Sequence, residues 1–375
     1  MSTYLDFNAT TPVLSEVAEL VCKLMLDEYG NAGSRTHAFG ANAKKRVDLA
    51  REQVANVVAA DRSEIFFTSG ATESNNIAIL GLKDFGNQHN KKHLITTRIE
   101  HKAVLEPIEY LEKCGFEVTY LEVNESGCVD PEELRCALRE DTLMVSIMHI
   151  NNETGCIQPI PLICNILDGH EAYLHVDAAQ SFGKLSNELS NKRIDLISAS
   201  GHKLYAPKGV GALVARKRGF IKPPLKPIMF GGGQERGLRP GTLAVPLIAG
   251  FGLACEMAQN NHEQWCSHAA TLKATLIDEL DKVGAMYNGS DTSPFVLNFS
   301  VPGVNSEALM VKLRDIAAVS NGSACTSSSY EPSHVLLAMG FEEDRIAGAV
   351  RVSWGVTTEK LPVRQILEQI VLLKM

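Results

Sequence analysis

The sequence predicts an α/β fold: a large domain built on a mostly parallel sheet with helices on both faces, joined to a smaller α+β domain. Three observations carry this. Short β-like runs alternate with helical patterns, which calls for crossover connections between parallel strands. Polar residues stand directly after those runs, where open α/β sheets collect their ligands. Beyond the loop GGGQERGLRPGT (231–242) the pattern changes to long helices and isolated strands.

Along the chain, EIFFTSG (64–70) precedes a helix-like SNNIAILGLKDF, and HLITTRIE (93–100) precedes VLEPIEYLEKCG. FEVTYLEV, LMVSIMHI, AYLHVDA and IDLISAS follow in turn. Their ends supply Thr72 and Glu73, His101, Asn151 and Asn152, Asp177 and Gln180, and then Ser200, His202 and Lys203. After residue 242 comes one long helical stretch, VPLIAGFGLACEMAQNNHEQWCSHAATLKATLIDELDKV, followed by a β-like FVLNFSV, a helix SEALMVKLRDI, the loop SNGSACTSSSYEPS and a closing strand and helix. The expected division is a large domain at 16–255 and a small one made of 1–15 and 256–375, the latter carrying the loop with Cys325.

Composition narrows the function. With 375 residues the chain has room for two intimate domains, and 45% apolar with 21% charged residues is ordinary for a globular protein. A formal charge of −8 disfavours direct contact with DNA, RNA or anionic membranes, because such binding rests on Lys and Arg neutralising phosphates. The start MSTYLDFNATTP lacks a cationic stretch leading into an apolar one, and no run of about 18 apolar residues occurs, so a cytoplasmic protein is expected. The nine cysteines form no C-x-x-C pair, and no metal site is expected.

The strand-end residues form a coherent set. Pyridoxal phosphate needs a lysine to hold it covalently, an aspartate to keep its pyridine nitrogen protonated, and donors around its phosphate. Lys203, Asp177 and the Thr72 segment meet those needs at the ends of one sheet, whereas neither G-x-x-x-x-G-K-[ST] nor a strand-linked G-x-G-x-x-G is present for a nucleotide.

YLDFNATTP, FTSGATESNNIAI, EHKAV, MHINNETG, HVDAAQS, SGHKLYAPKGVGAL, GGGQERGLRPGT, SNGSACTSSSYEPSHVL and RVSWG resemble, in order and over nearly the whole chain, the successive motifs of cysteine desulfurases of the NifS/IscS type, within the class V aminotransferase fold. The resemblance implies the type I fold of pyridoxal-phosphate transferases, with a mainly parallel sheet of the seven-stranded type. It implies that Lys203 carries the cofactor, Asp177 pairs with its pyridinium, Gln180 meets its ring hydroxyl and His101 stacks on the ring and assists proton transfers, with Asn152 beside it. Ala71 and Thr72, at a helix N-terminus, and Ser200 and His202 would hold the phosphate. Thr242 would reach the phosphate of a neighbouring subunit, which makes a homodimer with shared active sites.

Arg351 matches the family's clamp for the substrate carboxylate, with Asn31 and Asn152 lining the same pocket. Cys325 matches the nucleophile that takes sulfur from L-cysteine, leaving L-alanine and a persulfide for an acceptor protein of iron–sulfur cluster assembly, tRNA thiolation or DNA phosphorothioation. Selenocysteine lyase or aminotransferase activity on the same fold is the alternative. A non-catalytic scaffold would not need Lys203, Asp177, His101, Gln180, Arg351 and Cys325 together. GNAGS at 30–34 and RPGT at 239–242, where many family members read GNPSS and RSGT, are similar to desulfurases associated with sulfur modification of DNA.

Overall fold

A computed structural model describes residues 2–322 and 332–374. After a short first strand, β1 (Thr3–Tyr4), the strands β2 (Ile65–Thr68), β3 (His93–Thr97), β4 (Glu117–Leu121), β5 (Thr142–Ser146), β6 (Tyr173–Asp177), β7 (Leu196–Ser200) and β8 (Gly211–Ala215) build the fold's centre. They form one seven-stranded sheet in the order β2-β8-β7-β6-β5-β3-β4, without β1. Only β8 runs against its neighbours β2 and β7, so all the other strand ends point to one edge.

The strand sequences read as unbroken apolar runs because both faces are covered. Adjacent residues of one strand serve opposite cores: Phe67, Ile95, Val145, Ile197 and Val214 pack on one side, and Phe66, Leu94, Met144, Leu196 and Leu213 on the other. Helices α1 (Ser15–Leu26) and α2 (Ala38–Asn56) cover the first side. The second is covered by α3 (Ala71–Leu80), α4 (Lys83–His89) and α5 (Lys102–Lys113). Crossover helices α6 (Pro131–Ala137) and α7 (Ile160–Ile166), with α8 (Val245–Asn260), complete the first layer.

A second core lies beyond α8. Helix α9 (His262–Leu280) turns Ala269, Leu272, Leu276 and Leu280, spaced for one helical face, onto an antiparallel sheet. That sheet contains β9 (Met286–Tyr287), β10 (Val296–Ser300) and, past β11 (Ala317–Ala318), β12 (Ala349–Ser353), in the order β12-β10-β9. Leu5, from the chain's start, enters this core, and β1 pairs with β11 in parallel. Helices α10 (Ser306–Leu313), α11 (His334–Ala338), α12 (Glu343–Ala347) and α13 (Val363–Lys374) complete the described helices.

Two expected helices are divided. The SNNIAILGLKDF stretch breaks between α3 and α4, where the Gly81 carbonyl accepts from Lys226 N at 2.9 Å instead of continuing the helix. The stretch 245–283 breaks at Asn261, whose Nδ2 bonds back to Met257 O at 2.7 Å and caps α8 with a side chain suited to competing with the helix backbone.

The two cores meet at Tyr205, a buried non-glycine residue at φ +59° whose hydroxyl accepts from Val356 N at 3.1 Å. Gly355 is required there: a Cβ would lie 2.4 Å from the Tyr205 hydroxyl and 2.6 Å from the Phe7 ring. Gly355→Ala is expected to cost about 1–3 kcal/mol through overpacking, measured as a lowered denaturant midpoint. An unchanged midpoint would show that this joint has room to spare.

Candidate active site

The carboxyl ends of β2, β3, β5, β6 and β7 surround a cavity of about 510 Å³. Ten of the thirteen residues predicted from sequence border it: Ala71, Thr72, His101, Asn152, Asp177, Gln180, Ser200, His202, Lys203 and Arg351. Asn31 does not; it is exposed and accepts from Gly33 N in its own loop. Thr242 is also exposed and away from this cavity. Cys325 lies outside the described residues.

One end of the cavity is built for an anion. Gly70, at the N-cap of α3, places no side chain over the first turn, so the backbone N–H groups of that turn remain available alongside the helix dipole. Gly211 permits this placement, because a Cβ on it would lie 2.6 Å from Gly70 Cα and 2.4 Å from Ala199 O. Ser200 and His202 stand opposite on the strand-to-lysine turn. The His202 imidazole, bonded through Nδ1 to Thr10 Oγ1 at 3.2 Å, is pushed down to about 4 by burial and by the nearby lysines.

The opposite wall is suited to a flat, polar ring. Asp177 is buried, with Oδ2 accepting from Asn75 Nδ2 at 2.8 Å and Oδ1 from Ala179 N at 2.9 Å, so its carboxylate is fixed in orientation. Gln180 gives Nε2 to Asn8 O at 2.9 Å, while its buried Oε1 has no partner among the described residues. His101 caps α5, its Nδ1 accepting from Ala103 N at 3.0 Å, which leaves the proton on Nε2. His101 is exposed where it borders the cavity, and the protein packed around the rest of its ring holds its pKa below the ordinary histidine value.

A segment that the sequence reading used only as a family motif, naming no site residue in it, threads these groups together. Lys203 Nζ donates to Asn8 O and, at 2.8 Å, to Ala9 O. Asn8 Nδ2 reaches Asn152 O at 3.1 Å, and Thr11 Oγ1 donates to His202 O at 3.0 Å. YLDFNATTP therefore forms a strap across the mouth of the sheet. Neither periodicity nor charge marks it, because its contribution is mainly backbone carbonyls.

Glu100 was also missed. It is buried, and among the described residues it has no counter-ion and its Oε2 no partner, while Oε1 accepts from Met148 N at 2.8 Å and Thr97 Oγ1 at 2.9 Å. Burial, with Asp177 nearby, pushes its pKa up to about 8.

A helix terminus for a phosphate, a fixed aspartate, an unsatisfied Gln180 oxygen and a lysine amine fit pyridoxal phosphate, and together they define a transferase of the pyridoxal-phosphate type. The chain belongs to the aminotransferase class-V family, whose model matches residues 3–366. Within that family it is 45% identical over 372 residues to the cysteine desulfurase IscS of Vibrio campbellii, covering 98% of this chain and 91% of that one. Its fold superposes on a NifS-like protein with a TM-score of 0.89 at 37% identity, covering 100% and 98% of the two chains. It also superposes on DndA from Streptomyces lividans, with a TM-score of 0.83 at 48% identity over 94% and 99%.

Proposed function

We propose that this chain is a pyridoxal-phosphate-dependent cysteine desulfurase that converts L-cysteine to L-alanine and leaves the sulfur as a persulfide on Cys325. The observation that carries this reading is the meeting of Lys203, Asp177, His101 and Arg351 in one cavity of a chain whose relatives are cysteine desulfurases. Lys203 would hold the cofactor, Asp177 its ring nitrogen, Gln180 its ring hydroxyl, and the α3 N-terminus with Ser200 and His202 its phosphate. When bound, the cofactor supplies an electron sink next to the substrate's amino group.

The chain's own residues do the rest. Arg351 binds the substrate carboxylate, and Lys203 Nζ, once displaced, moves the α-proton. His101, its pKa lowered by burial, would offer Nε2–H toward the cofactor. The Cys325 thiolate attacks the substrate sulfur; an S–S bond forms, the substrate's C–S bond breaks, and its carbon takes the electron pair and a proton.

The same reading has a homodimer with shared active sites, Thr242 reaching the phosphate of the neighbouring subunit and Asn31 lining the substrate pocket, and large and small domains at 16–255 and at 1–15 with 256–375. A cytoplasmic location belongs to the same reading; no helix among the described residues is long and apolar enough to cross a membrane. An acceptor protein takes the sulfur. Sulfur modification of DNA is the pathway supported by the GNAGS and RPGT loops and by the similarity to DndA.

Cys325→Ala is expected to keep the visible absorbance of bound pyridoxal phosphate and lose the persulfide, measured by mass spectrometry after incubation with L-cysteine. Undiminished persulfide in that variant would remove Cys325 from the mechanism. Alanine formation that requires a keto acid would favour an aminotransferase.

A further inference from the structure

Arg351 is 2% exposed, and its guanidinium is already partly committed. Nη1 donates to Asn152 O at 2.9 Å and Nη2 to Asp6 Oδ1 at 2.6 Å, while the buried Nε has no partner among the described residues. Arg351 and Asn152 border the cavity, and Asp6 does not. The Asp6 carboxylate therefore meets the guanidinium from outside the chamber, leaving to a ligand the donors that Asp6 and Asn152 do not use.

Asp6 is also tied to the strand that carries Arg351. It bridges Ser353 on β12, Phe7 N bonds to Ser353 O at 3.3 Å, and Asn8 N bonds to Ser353 Oγ at 2.9 Å. The Tyr4 hydroxyl donates to Asp6 O at 2.9 Å. Carboxylate and guanidinium are thus held by the same few residues, and their separation is fixed whatever the remainder of the chamber does.

We propose that Asp6 is a positioning residue for amino-acid recognition: it fixes the plane of the Arg351 guanidinium from behind, so that the remaining donors present a ready-made fork to the α-carboxylate of a substrate. The proposal rests on the reading of Arg351 as the carboxylate clamp. Two physical points support it. A buried guanidinium needs a counter-ion when the chamber holds no carboxylate. A planar fork binds a carboxylate bidentately only if its rotation is restrained.

The test uses the cofactor-loaded protein and two ligands that differ by the carboxylate, L-alanine and ethylamine, titrated by the change in cofactor absorbance. Asp6→Ala is expected to weaken L-alanine by about ten-fold, the worth of one hydrogen bond to a charged group, and to leave ethylamine unchanged. Asp6→Ala binding L-alanine as the wild type does would overturn the proposal. If Asp6→Ala does not fold, Asp6→Asn carries the same expectation, and its equality with wild type is equally fatal. Arg351→Lys separates the two levels. Should it keep the wild-type preference for L-alanine, the clamp reading itself falls; loss of preference there, with Asp6→Ala unaffected, removes Asp6 alone.

Discussion

Glu235→Ala is expected to lower the unfolding free energy by about 3–5 kcal/mol, the cost of leaving a buried charge without its partner, measured by guanidinium unfolding. The side chain is almost wholly buried, with Oε1 2.6 Å from Arg51 Nη2 and Oε2 2.8 Å from Arg51 Nη1. Oε2 also accepts from Phe67 N at 2.7 Å. Removing it strands a guanidinium that lies 4.7 Å over the Phe67 ring and orphans a backbone donor of β2. It also releases the restraint on Glu235 and Arg236, consecutive non-glycine residues at φ +45° and +57°, a conformation that costs roughly 1–2 kcal/mol each. Arg239 of the same loop pairs with Glu73 in the first turn of α3 at 2.8 Å, so the anion end of the cavity should loosen and cofactor affinity fall alongside stability. A variant within about 1 kcal/mol of wild type would mean the loop is held elsewhere.

The second large effect concerns pH. The Glu100 carboxyl is pushed up to about 8 by burial, so folding favours its neutral form. This stabilisation is complete below the ordinary carboxyl range and is lost as pH rises to about 8, since the unfolded chain ionises first and gains from doing so. Glu100→Gln imitates the neutral acid and loses nothing at this position. The stability of wild type relative to Glu100→Gln should therefore fall by a few kcal/mol between pH 5 and pH 8, on the order expected for a pKa difference of this size. Parallel unfolding curves across that range would mean that Glu100 ionises in the folded protein as it does in water.

Much of the chamber was legible because strand-end chemistry is local. Lys203, Ser200 and His202 follow β7 directly, and Asp177 and Gln180 close β6, so alternating patterns located them without knowledge of the fold. The breaks at Gly81 and Asn261 were hidden, since each depends on one hydrogen bond that apolar periodicity does not report. Asn8 and Ala9 act through carbonyls, which every residue possesses. Glu100 adjoins a recognised histidine, but its neutrality is a product of burial and had no signature in the sequence. Asn31 and Thr242 were placed by resemblance alone, and in a single chain neither is drawn into the cavity.

The strap has a consequence for biosynthesis. Asp6 and Arg351 lie 345 positions apart along the chain, yet they share one ion pair at the chamber wall. A nascent chain that has passed Lys203 can form much of the large sheet while the strap still has no β12 to lie against. Until β12 is made, the arginine that frames the Lys203 chamber is missing from it. The chamber is therefore complete only once β12 is in place for the strap to lie against.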